Sequence, residues 1–419
     1  MRNRTILPLR AAAMLTAAAV LCSSCMARRV NKVDEKVSIS FSWWGNDTRN
    51  EATVDALSVF REKYGISVDA HYSEFSGFKA NMDAQFRSGT ECDVMQINYD
   101  WLYEYSPDGR GFYDLNELSD YISLDAFTEY SLGTGTVNGV LNGLPTGLNA
   151  ITFIYNKDIY DSYGLDIPET WEDLFKAAEV MKKDQIYPLS LTDKNFFICA
   201  CAYVEQVTGR SPWGSDWKPQ FTEEDCLLML EFYDRLTSEK VSAPGKSFER
   251  SNFTDWKIAG LTSWASDMQT FEEMRQEGAH IVIGSYLTTE NSLACGWYVK
   301  PVSLICIKKS TEHPEEAAML ADFSVNSAEM SALIGTSRGI PASLPAKETL
   351  ESRDMLHGME AEAAALIYET GELEVMSPYL ERSELIGAYT DSCERVYYKE
   401  STPAEEAAAL CEALNGALV

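Results

Sequence analysis

Two short stretches concentrate aromatic rings beside amides and carboxylates: Trp43-Trp44-Gly45-Asn46-Asp47 and Asn98-Tyr99-Asp100-Trp101. Rings supply flat apolar faces, and fixed polar groups supply directed hydrogen bonds. Together they suit non-covalent capture of a small molecule that has apolar faces and a hydrogen-bonding rim. Neighbouring side chains on a strand point to opposite faces, so Trp43 and Trp44 cannot both meet a ligand. Trp43 shares a face with Phe41, Ile39 and Val37, which makes Trp43 core and Trp44 the platform, or the reverse if the strand has already ended. For the second stretch the competing reading is a helix N-cap at Asn98 or Asp100 with buried rings behind it. Glu74 is a further candidate, set against a solvated acid in a turn.

Covalent chemistry finds no comparable pattern. The chain has no G-x-S-x-G, no H-E-x-x-H and no phosphate-binding G-x-x-x-x-G-K-S/T. Gly133, Gly135 and Gly139 miss dinucleotide-binding spacing, and His71, His280, His313 and His357 are scattered without metal-ligand spacing. The 64 acidic residues allow so many carboxylate pairs that pairing carries no information about glycoside hydrolysis. No cofactor and no metal are expected.

The elements that must position the candidates begin with the run Val37 to Trp44, an apolar strand followed by a polar turn. Thr48 and Glu51 have capping-box spacing, and Ala56, Leu57, Phe60 and Tyr64 recur at helical spacing up to Gly65. Strand-like runs near Val37, Ile66 and Val94 alternate with helical segments, the second from Phe78 to Ser88, as in βαβ units of a parallel sheet. Ligands meet such sheets outside the carboxyl ends of the strands, where Trp43, Trp44, Asn46, Asp47 and Asn98 to Trp101 fall. A turn-rich stretch at Asn142–Gly147 precedes a second βα series, with a capping box at Thr170 and helices over 195–207 and 223–236.

With 419 residues, 45% of them hydrophobic, the chain exceeds what one core organises and is expected to form two lobes. Its net charge of −29 repels nucleic acid and anionic membrane surfaces and mildly favours a neutral or cationic ligand, or else reflects a solvated surface that keeps the protein soluble. Residues 1–24 read as a signal peptide, with Arg2, Arg4 and Arg10 before the apolar run Ala11 to Leu21. Leu21-Cys22-Ser23-Ser24-Cys25 resembles a bacterial lipobox, which makes Cys25 the lipidated residue and 25–36 a tether to the cell membrane. The eight later cysteines sit mostly in apolar contexts and read as small buried hydrophobes, with disulfides left open.

Six stretches in order then carry a resemblance. They are Ile39 to Gly45 with the helix ending Phe60-Arg61-Glu62-Lys63-Tyr64-Gly65; Ser88-Gly89-Thr90-Glu91-Cys92-Asp93-Val94; Leu144-Pro145; Tyr155-Asn156-Lys157; Pro168-Glu169-Thr170-Trp171; and Gly335 to Ala342. This order is similar to that of extracellular solute-binding proteins of carbohydrate-uptake ABC importers, the maltose-binding-like type.

The resemblance implies an α/β fold of two discontinuous lobes joined by a hinge, with the ligand cleft between them. It puts residues 37–145 plus 265–323 in one lobe and 146–264 plus 324–419 in the other, with crossings near Leu144–Asn149, Leu261–Asp267 and Ala321–Asn326. It adds Asn149, Trp264, Asp267, Trp297 and Arg338 to the binding candidates; the five donors of Arg338 suit hydroxyls or a carboxylate, or pairing with an acid. The implied protein is a monomeric receptor that hands a mono- or oligosaccharide to a membrane permease. A polyamine- or peptide-binding protein, a surface glycan-binding lipoprotein and a secreted glycan-active enzyme are the alternatives.

Overall fold

The structure, a computed structural model, describes residues 37–245, 251–370 and 373–418. The signal segment, the tether and Cys25 lie outside the described residues.

Strand β1 (Ser38–Trp44) sends Ile39, Phe41 and Trp43 into the core, each at most 1% exposed. Gly45 ends it where a Cβ would lie 2.9 Å from Asn50 Oδ1. Asn46 caps helix α1 (Asp47–Tyr64), its side chain accepting from the Arg49 N–H at 3.0 Å. Thr48 and Glu51 therefore lie inside the helix and do not form the expected box, because Asn46 offers an equivalent acceptor earlier in the chain. Gly65, at φ 71°, closes α1 in the left-handed conformation that glycine adopts without strain.

Strand β2 (Ser67–Ser73) runs parallel to β1, with Ser38 opposite Ser67 and Trp44 opposite Ser73. Helix α2 (Phe75–Ser88) is broken at Ser76 and Gly77, the latter at φ 88°, so its regular part begins at the expected Phe78. Strand β3 (Val94–Ile97) pairs with β1, and helix α3 (Tyr99–Tyr105) follows. A small hairpin of β4 (Thr136–Val137) and β5 (Val140–Leu141) leads to β6 (Gly143–Pro145) and to β7 (Gly147–Asn156), which is buried at every residue. Later strands are β8 (Gly260–Trp264), β9 (Ile281–Gly284), β10 (Tyr298–Pro301), β11 (Leu304–Ile307), β12 (Ile340–Pro341) and β13 (Glu374–Val375).

These make two larger sheets. The first is five-stranded in the order β2-β1-β3-β11-β6; the second has six strands, with β12-β7-β10-β13 in line and β8 and β9 both paired with β7. Helices cover both sheets, and the chain is a two-lobed α/β protein. The capping box expected at Thr170 forms, and Thr402 makes another at the start of the helix Pro403–Gly416. All eight described cysteines are free, most of them buried.

The chain changes sheets at Thr146, inside the expected first crossing. The other two expected crossings need correction. Segment 265–301 does not return to the first sheet: β8, β9 and β10 all pair with β7, so the second change comes at Val302-Ser303. Helix Pro314–Asn326 and helix Ala328–Ile334 belong with the first sheet and α1, and the third change falls between Gly335 and Gly339, before β12 pairs with β7. By sheet membership, then, 265–301 goes with the second lobe and 324–334 with the first.

The crossings touch one another. Thr146 N–H donates to the Ser303 carbonyl at 2.9 Å, and Val302 N–H to the Gly147 carbonyl at 2.8 Å. The hydroxyls of Thr146 and Ser303 lie 2.8 Å apart, and Gln96 Nε2 donates to Ser303 Oγ at 2.8 Å. A Cβ on Gly147 would stand 2.4 Å from the Arg338 carbonyl, so this backbone contact needs glycine.

Candidate ligand-binding cleft

The carboxyl ends of β1 and β3 open toward the second lobe, and the side chains there fall into an aromatic face and a polar rim. Trp44 is half-buried, with ring centroids 5.5 Å from both Phe75 and Trp101 and 5.4 Å from Phe78. Phe75 lies nearly parallel to Trp101, at 5.8 Å and 11°, and keeps 54% of its surface exposed. Trp101 itself is 3% exposed, so it backs the accessible rings and does not form the outer surface.

A cavity of about 320 Å³ lies between the lobes at the start of α3, whose Asp100 precedes Trp101. From the first lobe it is lined by Asn98, Tyr99 and Asp100, and from the second by Asn149, Lys300, Glu381 and Arg382, among others. Asn98 Nδ2 donates to Asp100 Oδ1 at 2.6 Å. Burial, and then the charge of Glu104, raise the Asp100 carboxyl above its usual range. Asn149 uses its amide on Ser266, at 3.1 Å to the hydroxyl and 3.2 Å from the backbone N–H. Lys300 Nζ lies 4.1 Å from the centroid of the Trp264 ring and pairs with Glu381, which also accepts from Lys194 at 2.8 Å. Burial lowers the Lys300 ammonium below the usual lysine value, against the pull of Glu381. For Glu381 burial acts upward, but the two lysines outweigh it and hold the carboxyl low. The rim therefore holds the Lys300–Glu381 ion pair and the Asn98–Asp100 hydrogen bond on its two sides.

The structure divides the sequence candidates. Asn98, Tyr99, Asp100 and Asn149 line the cavity, Trp264 lies against the lining residue Lys300, and Trp44 and Trp101 pack on each other at the carboxyl ends of β1 and β3. Trp43 is core and leaves the site: it is 0% exposed, lies against Tyr72 at 4.9 Å and donates its indole N–H to Asn50 at 3.0 Å. Trp297 is core as well, 1% exposed among Phe153, Trp171 and Tyr286, with its N–H on the Leu287 carbonyl at 2.8 Å. Both have the correct residue type on the wrong face. Asn46 is spent on capping α1, Asp47 is exposed in the first helical turn, and Glu74 is an exposed residue at the start of α2. Asp267 is exposed and accepts from Ser263 at 3.3 Å. Arg338 is buried at the third crossing.

Phe75, Phe78, Lys194, Lys300, Glu381 and Arg382 were not singled out from the sequence. A lysine inside the strand Val299-Lys300-Pro301 was the available signal, since a charge in a buried strand needs a partner.

A family profile for bacterial extracellular solute-binding proteins matches residues 45–323. The chain belongs to this family. Among solved structures, this solute-binding protein is similar to a periplasmic oligogalacturonide-binding protein from Yersinia enterocolitica, at 30% identity and TM-score 0.82, covering 91% of this chain and 100% of that one. The complex of that protein with saturated digalacturonic acid superposes at TM-score 0.71, with 29% identity over 92% of this chain and 100% of that one. A de novo designed cysteine esterase, ECH19, matches at 28% identity and TM-score 0.85 over 90% and 97% of the two chains. A binding protein of Brucella abortus is 22% identical over 275 residues, and that match spans 62% of this chain and 65% of the relative's length.

Proposed function

We propose that this protein is the solute-binding component of an ABC importer, acting outside the cytoplasm, and that its solute is a mono- or oligosaccharide. The observation that carries the reading is the set of amides and charged side chains that both lobes contribute to one cavity, with the rings of Trp44 and Phe75 packed on Trp101 next to its lining residue Asp100. Sugars present flat C–H faces and a ring of hydroxyls, which matches such a surface.

Capture works by population shift. A ligand that touches both lobes binds the closed arrangement more tightly, and that difference in affinity sets how far closure goes. The lower TM-score to the structure that names digalacturonic acid, 0.71 against 0.82, supports lobes that differ in relative placement. Delivery to a permease and anchoring through a lipidated Cys25 complete the reading.

Thermal unfolding of the mature chain against sugars, amino acids, peptides and polyamines tests it. A ligand at about 100 times its Kd stabilises by about 2.7 kcal/mol, which moves the midpoint by a few degrees. A shift confined to sugars supports the reading, and a shift only with peptides or polyamines overturns the sugar assignment.

A further inference from the structure

Arg338 and Arg49 bring two guanidinium groups together at the third crossing, and no acid among the described residues answers them. Arg338 is 5% exposed, and its Nη2 makes a 3.3 Å contact with the Thr53 hydroxyl of α1. Its Nε and Nη1 have no partner among the described residues. Arg49, in the first turn of α1, donates through Nη2 to the Ser337 carbonyl, while its own Nε is buried and without a partner among the described residues. Burial, and then the charge of Arg49, push the Arg338 guanidinium down to about 9. A buried cation is strongly unfavourable unless an anion meets it. The chain has 64 acids against 35 bases, yet the only charge acting on Arg338 among the described residues is another arginine.

We propose that Arg338 and Arg49 form a carboxylate subsite, so that the captured solute is an acidic sugar of the uronic-acid class. This rests on the sugar reading and narrows it. Arginine donors fit a carboxylate with directed, charge-assisted hydrogen bonds. The N-terminal end of α1 adds its positive field at the same place. The subsite lies on a segment that carries the chain between lobes and is bounded by Gly335 and Gly339, at φ 59° and 80°. A carboxylate held there engages the crossing itself, which ties recognition of the acid to the hinge.

The test is calorimetry on the full mature chain with digalacturonic acid, its dimethyl ester and neutral disaccharides, in low-chloride buffer. The acid is expected to bind at least tenfold more tightly than the ester. R338M is expected to lose that preference while keeping its affinity for the ester, and R338K to recover part of it. Without ligand, R338M is expected to melt no lower than the parent, since it removes a buried charge that lacks an anion. Equal binding of acid and ester by the parent chain overturns the proposal, and this comparison needs no variant to fold. Stabilisation by chloride or phosphate alone, with nothing added by the sugar acid, marks an inorganic anion site and also overturns it. Binding of neutral sugars but not the acid removes this inference and leaves the sugar reading; failure of every sugar removes both.

Discussion

The Tyr99 hydroxyl donates to the Met376 carbonyl at 2.5 Å, joining the end of β3 in one lobe to the edge of the second sheet in the other. Burial pushes that phenol well above its ordinary pKa, so it remains a donor throughout the working range. Close by, Arg382 Nη2 approaches Glu104 Oε1 at 3.7 Å, a second link across the lobes. Tyr99→Phe removes one hydrogen bond of about 0.5–1.5 kcal/mol. Because the bond spans the lobes, its loss is expected to weaken ligand affinity several-fold and to raise the radius of gyration measured by X-ray scattering. An unchanged affinity and radius would show that the bond does not contribute to closure.

The two neighbouring tryptophans of β1 are expected to respond oppositely. Trp43→Ala empties a core position and should cost about 3–5 kcal/mol of stability. Trp44→Ala should unfold near the parent midpoint and lose tenfold or more in affinity, about 1.4 kcal/mol or beyond. Denaturant melts combined with calorimetry on both variants separate the roles. A Trp44→Ala protein that binds its solute normally would remove the ring from the site.

At the hinge, Gly147→Ala drives a methyl group against the Arg338 and Ile340 carbonyls, at 2.4 and 2.8 Å. Backbone atoms cannot swing aside as a flexible side chain can, so a loss of about 1–3 kcal/mol is expected, as for an overpacked core. Gly143→Ala meets the Cys306 side chain at 2.9 Å and a second side chain at 3.0 Å, and should cost less. Equal melting temperatures for the two variants would argue against a tight crossing.

Glu205 supplies a pH signature. It is 1% exposed, and burial, followed by the charge of Glu374, pushes its carboxyl up to about 7 although Tyr298 and Ser211 donate to it at 2.8 and 3.0 Å. The folded state therefore binds this proton more tightly than the unfolded chain does. The contribution to stability is full below the unfolded value, near 4.5, and is lost as pH rises through about 7. It amounts to about 3 kcal/mol. Glu205→Gln is expected to flatten that part of the profile between pH 5 and 8. A profile identical to the parent's would mean that another group carries the slope.

What the sequence made legible was local. The series β1-α1-β2-α2-β3 follows from alternation, helical spacing and the glycines at 65 and 89, and the turn-rich stretch at Asn142–Gly147 marks the first crossing. The later crossings depend on which distant strand β8, β9 and β11 choose as partners, and that choice is made by packing between residues more than a hundred positions apart. The same limit governs the site. Alternation along β1 already offers Trp43 as core beside Phe41 and Ile39, whereas Phe153 and Trp171 decide that Trp297 is core, and those contacts are not visible from spacing. Phe75 lies before the helix expected over 78–88, and the break at Gly77 that leaves it 54% exposed is not visible from spacing.

The strand order β2-β1-β3-β11-β6 also has a consequence in time. Strand β3 lies between β1 and β11, and β11 ends at Ile307, roughly two hundred residues later in the chain. Until the ribosome has passed that point, the newly made half presents β3 as a bare edge, open to pairing with any other extended chain. The first lobe thus stays unfinished long after its opening strands have been made. The delay makes truncation before Ile307 a route to aggregation and not to a smaller working lobe.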